Sequence, residues 1–329
     1  MLFLQFNLGL FFGILGGAVV VIALAILGIG LFAFKKLIIR HSMLEDIGKD
    51  KLILSLLFKL MGDYVVEFGK YIDEESEKLL AIPHGEVTVT TKDGLKLIGR
   101  FFENPIKTDK TVLCMHGYTS EGRRDFAGLA QFYLNEGYNV LLPDHRAHGR
   151  SEGKYIGFAA LDRFDGLLWL DVLTKKYPNG SIVMTGISMG GATVLQMADL
   201  DLPKNVKAIV SDCPFTSVKD ELSFQIKRIF HLPPFPFVNI VSAICKKRAG
   251  YAFDEADSSE AVKNSKVPIL FIHGGADVFI PYQMSEKCFN NCVTEKKFVI
   301  VDGAAHGSSH YWNSELYETS VKEFLKGKF

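Results

Sequence analysis

Seven residues, Ser181-Ile-Val-Met-Thr-Gly-Ile187, form a short apolar, β-branched run with the character of a buried strand. The chain passes at once through Gly186-Ile-Ser-Met-Gly190 into Gly191, Ala192 and Thr193, small residues that open a helix-like segment. A strand can turn into a helix this abruptly only where small residues let the two approach closely, and glycines flank Ser188 on both sides. The serine is then expected on a strained turn between strand and helix. A chain with 30 glycines can present Gly-x-Ser-x-Gly by accident, so its context has to decide.

The context is a repeating one. Glu86–Thr91 and Leu95–Phe102 read as a hairpin, with Asp93-Gly94 supplying the positive φ of its turn. Strands are then expected at 111–115, 139–142, 206–211, 268–273 and 297–301. Helices are expected at 122–135, 159–177, near 282–291 and near 310–326. Pro178-Asn179-Gly180 stops the second of these. Antiparallel strands followed by repeated β-α units imply an α/β fold, a mostly parallel sheet with helices on both faces.

An unassisted serine hydroxyl is a weak nucleophile; it needs a base, and the base needs an orienting acid. After Ser188, Asp277 falls just past one buried strand and His306 just past the next. Both positions lie where a parallel sheet gathers its loops, beyond the strands' C-terminal ends. The order Ser188, Asp277, His306 is the one such an elbow requires. Asp212, which also ends a strand, is the rival acid, and His273 reads as a packing residue. The oxyanion donors are expected to be the backbone N–H groups of Met189, next after the serine, and of Tyr118, in the loop His116-Gly-Tyr-Thr119. His145 and His148 invite a metal reading, but no cysteine or carboxylate spacing completes a site, so Asp144 and Arg146 are read as bracing that loop. No metal and no cofactor are expected.

Residues 214–257 interrupt the β-α rhythm with aromatic and proline residues. An insertion after a strand's C-terminal end lies over the catalytic face, so a lid is expected there. Tyr118, Phe215, Phe224, Phe235 and Phe237 are the candidate lining of an apolar substrate pocket.

The other strong feature is at the N-terminus. Met1 to Phe34 carries no charged side chain, and Leu8–Phe34 is almost wholly apolar. About 20 such residues span a bilayer core. The run is longer than a signal-peptide core and lacks a basic leader, so residues 1–34 read as an uncleaved anchor. Gly9, Gly13 and Gly17 share one helix face and could serve a homodimer. Lys35, Lys36 and Arg40 follow the span, which by the positive-inside rule puts the rest of the chain in the cytoplasm, on a single-pass protein of the cell membrane. Residues 35–84 read as a helical juxtamembrane linker, with an apolar pattern over Leu52–Met61, and residues 85–329 as the α/β domain.

Length and charge exclude other classes. The chain has 329 residues, with 37 basic and 37 acidic side chains. No global field favours nucleic acid. The five scattered cysteines make neither a disulfide framework nor a metal motif.

His116-Gly117, Asp144-x-Arg-x-x-Gly149-x-Ser151, Gly186-x-Ser188-x-Gly190, His273-Gly-x-x-Asp277 and Gly303-x-x-His306-Gly307 together resemble the α/β-hydrolase superfamily, in particular its cinnamoyl-esterase-type and serine-aminopeptidase-like serine hydrolases. The resemblance covers roughly residues 86–328. It implies an eight-stranded sheet and a carboxylesterase-like enzyme, acting on a small apolar acyl or aryl ester through an acyl-enzyme. A peptidase or amidase using short peptides, and a non-catalytic binding protein on the same fold, are the alternatives.

Overall fold

The computed structural model describes residues 8–40 and 68–329. The apolar pattern expected over Leu52–Met61 lies outside them. The strands are β1 (Gly85–Thr90), β2 (Lys96–Phe102), β3 (Lys110–Met115), β4 (Asn139–Pro143), β5 (Ser181–Ile187), β6 (Val206–Asp212), β7 (Ile269–Gly274) and β8 (Lys296–Val301). They form one sheet in the order β1-β2-β4-β3-β5-β6-β7-β8. β1–β2 and β2–β4 pair antiparallel; every other pair is parallel. The turn between β1 and β2 holds Gly94 at φ +88°, as an Asp-Gly turn requires.

The main helices are α1 (Leu8–Leu37), α2 (Gly69–Ala81), α3 (Ala127–Asn135), α4 (Asp162–Lys176), α5 (Met189–Met197), α6 (Val218–Gln225), α7 (Phe237–Ala249), α8 (Tyr282–Asn291) and α9 (Ser314–Leu325); α2, α3 and α9 cover one face of the sheet and α4, α5 and α8 the other. Side chains alternate across each strand. Val112 and Cys114 of β3 therefore join one core layer with Leu79, Phe126, Tyr133, Tyr317 and Val321. Leu113 and Met115 join the other with Trp169, Leu170, Val194 and Met197. Each large side chain taken fully out of water contributes about 2 kcal/mol, which makes the two layers the main support of the sheet.

Three expected helices begin or break elsewhere. The one expected at 122–135 is interrupted at Phe126, leaving a single turn at Gly122–Asp125 ahead of α3. The one expected at 159–177 begins only at Asp162, because Phe158 and Ala159 hold positive φ and the Asp162 carboxylate accepts the Ala159 N–H at 2.8 Å. The last is divided at Asn313, whose side chain caps the Leu316 N–H at 3.0 Å.

Above the C-terminal ends of the strands lies a third apolar cluster. It joins Phe34 and Ile38 at the end of α1 to Met189, Phe215, Val238, Val241 and Phe253. Residues 214–257 supply most of its upper part, with α6 continuing into a π-helical turn at Ile226–Phe230 before α7. Beyond α1 the chain is tied to the loop after β4: Arg40 donates to the carbonyls of Ser151 and Gly149, and Ile156 N–H to Ile38 O.

Candidate active site

Ser188 sits between β5 and α5 with φ +57° and ψ −117°, a strained conformation for any residue with a Cβ. Its surroundings explain the glycines. A Cβ at Gly186 would lie 2.1 Å from the Gly190 carbonyl oxygen, and one at Gly190 would lie 1.8 Å from the Met115 carbonyl oxygen. Neither backbone can give way, so these positions accept nothing larger. The turn is held from below by the Ser188 N–H, which donates to Asp212 O at 2.9 Å.

The structure brings Ser188, His306 and Asp277 together. The Ser188 hydroxyl lies 2.8 Å from His306 Nε2, and His306 Nδ1–H donates to Asp277 Oδ2 at 2.7 Å. All three are buried, with Ser188 only 8% exposed. Asp277 is oriented by the N–H groups of Phe279 and Ile280, both 2.9 Å from Oδ1, and by His273 Nε2 at 3.1 Å. His273 thus does more than pack: it positions the carboxylate, and its own Nδ1 accepts from the Ser285 hydroxyl at 2.6 Å. Burial opposes ionisation of Asp277, but the facing His306 ring and the hydrogen bonds from His273 and His306 outweigh it and hold the carboxyl well below its ordinary range. Burial likewise opposes a charged His306, and the Asp277 carboxylate overrides it, raising the imidazole well above its ordinary value. Asp212, the rival acid, receives the Ser309 hydroxyl instead, and burial pushes its carboxyl up to about 6.

Met189 opens α5, so its N–H is among the first helical donors that have no acceptor within the helix. The loop after β3 lies directly beside the serine, since a Cβ on Gly117 would be 3.4 Å from Ser188 Cβ. That loop is braced by residues whose roles are not visible in motif spacing. Asp125 is half-buried and accepts the Gly117 N–H at 2.6 Å and the Ser120 hydroxyl. His148 Nε2 accepts the Thr119 N–H at 3.1 Å, and His116 Nε2 accepts the His145 N–H at 2.9 Å. The remaining nitrogens of these three rings bond Gly117 O, His116 O, Asp162 and Arg146 O. With both nitrogens of each ring committed to protein groups, the cluster offers a metal no lone pair. Arg146 is fixed by a two-point bond to Asp165, at 2.6 and 2.7 Å.

The side chain of Tyr118 packs against the apolar cluster at the end of α1. Its hydroxyl donates to Leu37 O at 2.9 Å and its ring lies tilted against Phe158, so it ties the loop after β3 to the end of α1. Phe215 is buried in the apolar cluster with Met189, and Phe224 and Phe237 are half-buried. Phe235 is 72% exposed and points away from the molecule, so it does not line an enclosed pocket. Proline-rich turns place consecutive aromatics on different sides, which composition alone does not reveal. Cys213, a residue with no part in the sequence reading, approaches the triad at φ +42°. Burial pushes its thiol up to about 12, so it stays protonated and does not compete with Ser188.

The sheet order, the elbow and the three converging side chains can be set beside known proteins. A family model described as serine aminopeptidase, S33, matches residues 106–250. The esterase of Pyrococcus furiosus superposes with a TM-score of 0.61 at 26% identity, over 76% of this chain and 92% of that one. The chain is an α/β-hydrolase. Other relatives of the hydrolase include the uncharacterized protein YqkD of Bacillus subtilis, 29% identical over 67% of this chain and 72% of that protein. The bifunctional esterase/perhydrolase of Acinetobacter calcoaceticus is 23% identical over 67% of this chain and 92% of its own length. Est1E of Butyrivibrio proteoclasticus, solved with ferulic acid, shares the fold at 21% identity and a TM-score of 0.56, over 73% of this chain and 97% of Est1E. In this hydrolase, α1 carries a stretch, Leu15–Leu37, long and apolar enough to cross a membrane.

Proposed function

We propose that this α/β-hydrolase cleaves carboxylic esters with an apolar acyl or aryl group, using Ser188 as nucleophile. The observation that carries the reading is the unbroken relay from the Ser188 hydroxyl through His306 to Asp277. His306 Nε2 takes the hydroxyl proton as Ser188 Oγ attacks the ester carbonyl. The resulting oxyanion accepts hydrogen bonds from the N–H groups of Met189 and Tyr118, each worth on the order of 3 kcal/mol of barrier. Collapse expels the alcohol, which takes its proton from His306 and leaves an acyl-serine. Water, deprotonated by the same imidazole, then attacks the acyl group and releases the acid. The apolar cluster above Met189 favours an apolar acyl group.

A fluorophosphonate probe is expected to label the wild type and to leave Ser188→Ala unlabelled. Labelling retained in that variant overturns the assignment, and a purified wild type that never labels favours a binding protein. The match to a serine aminopeptidase family supports peptide or amide cleavage as a second reading. Acyl p-nitrophenyl esters run beside aminoacyl amides separate the two.

In the same proposal α1 anchors the enzyme and Lys35, Lys36 and Arg40 keep the catalytic domain cytoplasmic. Digestion of that domain by protease added outside intact cells would reverse the topology. Gly17 stands on the exposed part of α1, where a second copy of the helix could pack.

A further inference from the structure

The end of α1 is built into the enzyme, and the way it packs sets the level of the lid. Its inward stripe is Ile26, Gly30, Phe34 and Ile38, one residue per turn. A Cβ at Gly30 would meet Ile240 at 2.6 Å and Ile244 at 3.5 Å, while four residues further along, the Phe34 ring lies 5.9 Å from the Arg248 guanidinium. Both helices advance in the same direction, so α1 and α7 run parallel, shoulder to shoulder.

Their sequences change character at the same height. α1 is apolar to Phe34 and then carries Lys35, Lys36 and, just beyond its end, Arg40. α7 presents Phe237, Ile240 and Ile244 and then carries Lys246, Lys247 and Arg248. A basic last turn suits any helix dipole. The dipole does not account for the apolar side chains that both elements leave exposed on the other side of that level. On α1 these include Leu27, Ile29 and Phe32, and at the turn leading into α7 they are Phe230, Leu232 and Phe235, at 58, 45 and 72% exposed. Running backwards along α7 from Ile240, the turn comes level with about residue 25 of α1. At 1.5 Å per residue that is roughly 15 Å on the apolar side of the lysines.

We propose that α1 and the lid tip at residues 230–236 enter the same membrane leaflet, with the basic residues at the headgroups, and that the enzyme takes a long-chain acyl ester directly from the bilayer. The occupant of this exposed face is lipid, because the face is continuous with a helix whose hydropathy already suits a bilayer. Lys227 stands exposed just ahead of the tip, and its long stem can carry the charge up to the headgroups. From the α1–α7 seam, apolar packing continues without interruption through Phe34, Val238 and Val241 to Phe215 and Met189, beside the nucleophile. This substrate class rests on the reading of Ser188 as the nucleophile; the placement of the lid tip does not.

The test uses the full-length protein in phosphatidylcholine–phosphatidylglycerol vesicles. All five native cysteines are buried, so a single added cysteine can be labelled selectively. An environment-sensitive fluorophore at Leu232→Cys is expected to shift to the blue and to be quenched by lipids brominated on their acyl chains, while the same label at Lys175→Cys stays water-exposed. A water-like signal at 232 in inserted protein overturns the placement. The double variant Phe230→Asp, Leu232→Asp is expected to lose at least tenfold in hydrolysis of a vesicle-borne long-chain glycerol ester and to keep its rate on a short soluble ester. Equal loss on both substrates, or no loss on either, overturns the substrate assignment. Fluorophosphonate labelling of Ser188 in the same vesicles reports separately on the hydrolase reading. A labelled enzyme with a water-exposed lid tip sinks the membrane inference alone, and a buried tip with no labelling sinks the enzymatic one.

Discussion

The floor of the site and its roof are held by opposite means. The floor is polar and saturated: Asp277 has four hydrogen-bond donors, and the rings of His116, His145 and His148 use every nitrogen. The roof, made of α1, α6 and α7, is mostly apolar packing and leaves large side chains in the open. Directional bonds fix atoms to a few tenths of an ångström and fail when one partner is lost. Apolar contact fixes volume and tolerates exchange. Chemistry and substrate choice should therefore be separable by mutation: damage to the floor costs rate on every substrate, and damage to the roof changes which substrate is used.

The sharpest test after removal of Ser188 itself is Asp277→Asn. The neutral amide can no longer stabilise the imidazolium and favours the wrong tautomer, so kcat on a short soluble ester is expected to fall by about 10⁴-fold with the fold intact. The pH profile tests the cause. Asp277 raises His306, so the wild type needs a pH above the ordinary imidazole value of 6.5 to free its base. Without the carboxylate charge, the acid limb of kcat/KM moves to lower pH. An unmoved limb would mean that another group sets it.

Much of the floor was legible in the sequence, and the reason is local. Ser188, Asp277 and His306 each follow a buried strand, and a parallel sheet necessarily gathers such positions at one edge. The strand pattern predicted that sheet without reference to any side chain across it. Phe235 was misplaced because aromatic content says nothing about which way a proline-rich turn points. The tie between Tyr118 and Leu37 joins residues 81 apart. No pattern within either segment encodes it. The bracing roles of Asp125 and His148 escape the sequence for the same reason. Each holds a backbone N–H group of the loop, Gly117 for Asp125 and Thr119 for His148, and every residue but proline has one, so nothing in the composition marks them.

Asp125 gives the next prediction, intermediate in size. Its carboxylate holds Gly117 and Ser120, and through them the loop that carries the Tyr118 N–H. Asp125→Asn turns one acceptor into a donor facing donors. Displacing a single oxyanion donor is expected to lower kcat by about 10²-fold. KM for a short soluble ester should change little, because the ground-state carbonyl depends less on that bond than the tetrahedral intermediate does. A comparable rise in KM with kcat preserved would place Asp125 in ground-state binding instead.

Glu221 breaks the contrast, since it is a carboxyl on the roof. It lies on α6, 6% exposed, and accepts from Gln225 Nε2 at 2.6 Å; the same amide donates to Phe279 O, in the loop that orients Asp277. Among the described residues its second oxygen has no hydrogen-bond partner. Burial therefore pushes the carboxyl up from 4.5 to about 7. The fold favours the protonated form, so stability is fully retained below pH 4.5 and is progressively lost as pH rises from there to about 7. Glu221→Gln mimics the protonated acid at every pH. Its melting temperature should match the wild type near pH 4.5 and exceed it by several degrees at pH 8, the smallest of these effects. A gap that is constant with pH would mean that Glu221 is charged throughout and paired in a way its geometry does not suggest. The difference would then come from the lost pairing rather than from the proton.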